Sequence, residues 1–254
     1  NAKHVSIDRT AIKRFCTSFD SSRVSHWWNS APYDIADLDN ESQLAYLFVF
    51  NAISFSYWGS PKWKIQYRDT EYDGSWGMIA SIARAIESDK PILRSDCLEK
   101  ITTQELGVIL YGNVEIPLLK KRAAILREVG RTISQEYRGS FSQFVGSESV
   151  IAGNLVKKIT RNFPSFIDEW QYNNQKIPFL KRAQLLVADI SSTIRGLKIE
   201  GTEKLTACAD YKLPYLLRNE GILVYSNDLS ATVDTGIEIP PGHPTEIEIR
   251  SATI

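Results

Sequence analysis

Apolar residues three and four positions apart organise this chain. Ala183, Leu186, Val187, Ile190, Ile194 and Leu197 form one such series and predict a helix opening near Lys181. Gly196 and Gly201 loosen the chain after it. Further on, Asp210 stands ahead of Pro214, and proline is best tolerated in a helix's first turn. That second helix should carry Leu216 and Leu217 and stop at Gly221. Lys181 thus starts one helix, Asp210 precedes the next, and the two could meet in space.

The same reading covers the rest of the chain. Ile7 to Phe15 suits a short helix, and His26-Trp27-Trp28 suggests aromatic packing. Asn40-Glu41-Ser42 opens a run from Leu44 to Ile53 that is apolar nearly all round, as in a buried helix. Trp63, Ile65 and Tyr67 alternate with Lys62, Lys64, Gln66 and Arg68, the only clear strand. Asp73-Gly74 reads as its hairpin turn, and Ser75 as the N-cap of a helix carrying Trp76, Ile79, Ala83 and Ile86. Thr102-Thr103-Gln104-Glu105 matches a capping box. Leu119, Leu126 and Ile133 mark a long helix over 118–136, with Lys120, Lys121, Arg122, Arg127 and Arg131 on its wet side. Ile151, Leu155 and Ile159 mark another, ending before Phe163-Pro164, with Lys157, Lys158 and Arg161 facing solvent. Residues 227–247, rich in Gly and Pro, are the most loop-like. No parallel-sheet pattern stands out. The expectation is a mainly α, single domain over 1–254 with a small β-hairpin element.

Composition narrows the function. Thirty Lys plus Arg balance thirty Asp plus Glu, and zero net charge argues against a protein built to coat nucleic acid or an acidic membrane. Cys16, Cys97 and Cys208 stand far apart, which suits a reducing, cytoplasmic setting rather than a disulfide framework. His4, His26 and His243 are isolated, so no metal is expected, and no Gly-rich phosphate loop or cofactor motif is visible. The longest apolar run, Leu44 to Phe50, is too short to span a bilayer, and no signal peptide is visible. The chain opens at Asn1 without Met and stops at Ile254, which reads as a fragment lacking both native termini.

Read by residue type alone, Asp210 is either a helix cap or turn residue, or a carboxylate set to meet a developing cation. Lys181 is a solvated helix flank, an anion contact, an aid to a departing group or an ion-pair partner. Phe55, Tyr57, Trp58 and Trp76 supply rings for core packing or for stacking on a flat heterocycle. Glu248 and Arg250 suit either local salt bridging that positions a site or a solvated charge alternation.

Seven short stretches then occur in one order: Phe55-Ser56-Tyr57-Trp58, Tyr72-Asp73-Gly74-Ser75-Trp76, Gly139-Ser140-Phe141, Phe163-Pro164-Ser165-Phe166, Lys181-Arg182-Ala183-Gln184, Ala209-Asp210-Tyr211 and Glu248-Ile249-Arg250. In these the chain resembles the queuosine salvage proteins, glycosidases that release queuine from queuosine 5'-phosphate. The resemblance implies a helical fold akin to helix-hairpin-helix DNA glycosylases, with small-molecule partners and no stable nucleic acid or membrane. It implies Asp210 as nucleophile or transition-state stabiliser and places Lys181 in the site. It puts Cys208, Phe55, Tyr57, Trp58, Trp76, Tyr211 and Arg250 near the substrate. Queuine is a 7-deazaguanine without the ring nitrogen at which purine glycosidases often protonate their base, so more of the work falls on the sugar cation. Ser54 stands where the family usually has Asn, and Cys208 where its animal members carry Phe. The family's C-terminal Asp-aromatic-aromatic-Leu-Trp box is absent before Ile254. Two other classes remain: a non-catalytic helical module binding tRNA or DNA, and a scaffold without a small-molecule site.

Overall fold

The computed structural model describes residues 2–146 and 150–254. Among them are twelve α-helices and eight short strands, so the protein is mainly α-helical with small β elements. The chain divides into two compact units, and each is built from pieces distant in sequence. The larger comprises 26–166 and 185–205, and the smaller 1–25, 167–184 and 206–254.

In the larger unit the helix Asn40–Ile53 is buried from Gln43 to Ile53, as its all-round apolar run requires. Asp39 caps it, accepting the Ser42 N–H at 2.8 Å. Phe48 packs on Phe141, Phe144 and Phe163, while Phe50 meets Trp27 and Trp28. The long helix is Leu119–Glu136, with Leu126, Val129 and Ile133 fully buried. At Gly130 it runs so close to the segment Ser95–Glu99 that a Cβ would lie 2.2 Å from the Glu99 nitrogen. The capping box Thr102/Glu105 forms as its spacing predicts.

Arg122 corrects the wet-face expectation for this helix. Its side chain is 0% exposed. It donates to the carbonyls of Pro117, Ile53, Phe55 and Ser56, gathering the carbonyls that end the helix Asn40–Ile53 and the turn after it. Lys158 is likewise drawn inward, donating to the Phe144 carbonyl and lying over the rings of Tyr137 and Phe144. Burial pushes its ammonium below the usual lysine range.

The strand expectations need more revision. Lys64–Tyr67 pairs antiparallel with Thr70–Asp73, but the turn is Arg68-Asp69. Asp73-Gly74 instead joins strand to helix, and Asp73, not Ser75, is the N-cap of Gly74–Glu87. Val150–Ile151 and Ile199–Glu200 form a two-residue parallel pair that no periodicity could announce.

The smaller unit holds two further antiparallel pairs, Val5–Ile7 with Leu223–Tyr225 and Glu169–Tyr172 with Gln175–Pro178. Asn173 and Asn174 turn the second with φ of 48° and 63°, a left-handed geometry that asparagine tolerates. A core of Val5, Leu223 and Leu229 gathers Leu217, Val233, Ile239 and Ile249. The segment 227–247 is more regular than its Gly and Pro content suggested. Asn227–Asp234 and Pro244–Thr253 are helices, and only the stretch between them is irregular. Among the described residues no helix is long and apolar enough to cross a membrane.

Candidate functional site

Lys181 and Asp210 both belong to the smaller unit, and the fold brings them together. Lys181 is the first residue of the helix Lys181–Thr193, whose Ala183, Leu186, Val187 and Ile190 are buried as the apolar series predicts. Ile194 and Leu197 lie beyond its end. Asp210 precedes the helix Lys212–Asn219, where Pro214 sits in the first turn. The Lys181 Nζ lies 3.5 Å from Asp210 Oδ2. The other carboxylate oxygen, Oδ1, accepts the Lys212 N–H at 2.8 Å. Asp210 is therefore both a turn residue and an ion-pair partner, one oxygen in each role. The side chains are 20% and 30% exposed, so a solute can reach the pair while the protein holds it.

Three neighbours shape the backbone here. The Asp210 N–H donates to the Cys208 carbonyl at 2.8 Å, which tightens the approach to the acid. Cys208 is half-buried and forms no disulfide. Tyr211 is 45% exposed at the entry to the following helix. Arg250 does not form a solvated alternation with Glu248. It donates through Nε to the Ala209 carbonyl at 3.0 Å and grips Asp168 with both terminal nitrogens, at 3.0 and 2.5 Å. Glu248 is buried and anchors the N-terminal strand. It accepts from the backbone N–H groups of Lys3, His4 and Val5 and from the Tyr172 hydroxyl. Burial pushes its carboxyl up, but these four donors outweigh that and hold it below the ordinary glutamate value.

The sequence-predicted rings lie in the larger unit. Phe55 and Tyr57 are half-buried, and Arg122 covers them at 4.4 and 5.4 Å from their centroids. Tyr57 stacks on Trp63, and its hydroxyl donates to Ser54 at 2.9 Å. Trp58 is 60% exposed. Trp76 packs on Trp27 and, with Lys64, Glu71, Tyr72 and Asp73, lines a cavity of about 290 Å³. A larger groove of about 640 Å³ lies in the smaller unit, lined by Val5, Ile12, Tyr172 and Ile247 among others, but not by Lys181 or Asp210.

Sequence reasoning missed two acids. Asp168 is the partner of Arg250. Asp189 is 1% exposed and accepts from Trp27 Nε1 at 3.1 Å and Asn51 Nδ2 at 2.9 Å. Its signal was present, an acid inserted beside Ile190 on an otherwise apolar helix face. Asp168 gave none, because its partner is far away along the chain. Among the described residues no three His, Cys, Asp or Glu side chains cluster as a metal site would require.

The chain is similar to several known proteins. A protein of Sphaerobacter thermophilus called "Queuosine 5'-phosphate N-glycosylase/hydrolase" is 38% identical over 258 residues, covering all of this chain and 79% of that protein. A protein of the same name from Mus musculus is 30% identical over 266 residues, covering all of this chain and 78% of the mouse protein. One from Dictyostelium discoideum is 25% identical over 268 residues, covering all of this chain and 80% of that protein. The family model described as "Queuosine salvage protein" matches residues 35–254. With that match over most of its length and relatives that match all of it, the chain belongs to the queuosine salvage protein family.

Proposed function

We propose that this protein hydrolyses the N-glycosidic bond of queuosine 5'-phosphate and releases queuine. The observation that carries this reading is the Lys181–Asp210 pair, part-exposed and 3.5 Å apart, in a chain of this family. As the bond between C1' and the base nitrogen breaks, its electron pair leaves with the base, and positive charge grows on C1' and the ring oxygen. The Asp210 carboxylate meets that charge, either electrostatically or as a nucleophile, and water completes the sugar product. Lys181 is the cation that holds Oδ2 in place. In the same reading Cys208 and Tyr211 stand beside the substrate because they flank the acid. In the same reading residues 1–254 make up one glycosidase domain. The framework is akin to helix-hairpin-helix DNA glycosylases. The wide spacing of Cys16, Cys97 and Cys208 along the sequence suits work in the cytoplasm.

Queuine release followed by chromatography tests this. Asp210→Asn is nearly isosteric but lacks the charge, so kcat should fall about 100- to 1000-fold while KM changes little. Lys181→Ala should also act on kcat. A rise in KM confined to the 5'-phosphate substrate, and not the bare nucleoside, would instead assign Lys181 to the phosphate. An Asp210→Asn enzyme within about threefold of wild type is far short of the loss expected of a charge stabiliser and would sink the assignment.

A further inference from the structure

The backbone on either side of the Lys181–Asp210 pair is tied together by residues that touch neither functional group. Asp168 stands at the mouth of the hairpin Glu169–Tyr172/Gln175–Pro178. Its carbonyl accepts the N–H groups of Phe179 at 2.8 Å and Leu180 at 3.2 Å, the two residues that lead into Lys181. Leu180 has a φ of 50°, a left-handed conformation that a leucine keeps only when its surroundings impose it. On the other side, Arg250 carries the connection to Asp210. Its two terminal nitrogens meet the two Asp168 oxygens, its Nε holds the Ala209 carbonyl, and its plane lies 4.0 Å from the centre of the Phe179 ring. Glu246 adds a third oxygen at 3.3 Å, and the Arg250 side chain is only 12% exposed. A guanidinium engaged in this way is a fixed fork directed inward, and its planarity transmits position in a way a lysine cannot. A second tie runs parallel to it. Gln184 and Thr206 exchange hydrogen bonds at 2.8 Å each, joining the first turn of the Lys181 helix to the strand of chain that leads to Asp210.

We propose that Asp168 and Arg250 form a brace that sets the spacing of Lys181 and Asp210, and so serve as positioning residues for the reaction; this rests on the reading of that pair given above. The brace links the residue before Asp210 to the two residues before Lys181 through one rigid, bidentate contact. Loosening it leaves both functional groups in the protein but lets them drift, and displacements of about an ångström can cost about 100-fold in rate. Asp168, Glu246 and the Ala209 carbonyl together engage four of the five Arg250 N–H donors.

The test compares wild type with Asp168→Ala, Asp168→Asn and Arg250→Lys, with kcat and KM measured for queuosine 5'-phosphate and the folded fraction followed by circular dichroism. In protein that is fully folded at the assay temperature, Asp168→Ala and Arg250→Lys should lower kcat about 10- to 100-fold and leave KM within about threefold. Both variants keep the main-chain carbonyl, but Asp168→Asn also keeps one side-chain acceptor for the guanidinium, so it should retain more activity than Asp168→Ala. Variants with wild-type kcat overturn the brace, as does a loss confined to KM, which would make Arg250 a substrate contact. If neither Asp168→Asn nor Arg250→Lys folds, the two residues serve the fold alone and the proposal fails. Inactive wild type counts against the proposed function itself, whatever the variants do; active wild type with unaffected variants counts against the brace only.

Discussion

Replacing Arg122 by Met would remove the best-satisfied buried cation described in the larger unit while keeping much of its volume. The guanidinium serves four main-chain carbonyls, those of Pro117, Ile53, Phe55 and Ser56. The Ile53 carbonyl keeps the Phe55 N–H, so the loss falls mainly on the other three. A buried acceptor deprived of its donor costs about 1–3 kcal/mol, so stripping several at once costs several kcal/mol, less the relief of no longer burying a charge. An apolar isostere often replaces a buried ion pair at little cost, but here the acceptors are backbone atoms that remain in place. The expected loss is therefore about 3–5 kcal/mol, against a total reserve of about 5–15 kcal/mol for a folded domain. For a chain of this size that corresponds to a fall of roughly 6–20 °C in melting temperature. Arg122→Lys should recover less than half, since one ammonium cannot span carbonyls that a planar fork joins. Thermal melts and urea titrations of the three proteins measure this. A Met variant melting within about 2 °C of wild type would refute the reasoning, because it would mean that water or a local shift satisfies those carbonyls without strain.

Two further stability tests follow from the same contacts. Glu248 has its carboxyl held below the unfolded value, so its contribution is complete above the unfolded pKa and is lost as pH falls through the folded one. Wild type should therefore lose stability on acidification below about pH 4.5, while Glu248→Gln, already weaker at pH 7 by about 1–3 kcal/mol, should show a flatter dependence there. Equal slopes in urea titrations across that window would rule this out. Gly130→Ala should destabilise by about 1–3 kcal/mol despite alanine's better helix propensity, because the new Cβ would sit 2.2 Å from the Glu99 nitrogen and 2.6 Å from the Leu98 carbonyl carbon. An unchanged or raised urea midpoint would show that the Ser95–Glu99 segment can give way.

What could be read in the sequence was local in origin. The helix Leu119–Glu136, the capping box at Thr102, the buried run after Asn40 and the helical settings of Lys181 and Asp210 all follow from spacings within a few residues. Periodicity reports which face of an element is apolar, and a cap reports where it starts. Neither says what the element meets. Arg122 follows two lysines in a basic run and reads as solvated, yet it is buried because the exposed carbonyls at the end of another helix lie opposite it. The Asn173-Asn174 turn carried a readable signal, but its purpose, bringing Asp168 beside Phe179, lies in the fold. Lys181 and Asp210 were legible as candidates through their place before helices and through family resemblance. The 3.5 Å between them and the Asp168–Arg250 contact behind them were decided only by tertiary structure. A charge carries no mark of its partner when the partner is dozens of residues away. Its value is set by the burial and hydrogen bonds that folding supplies.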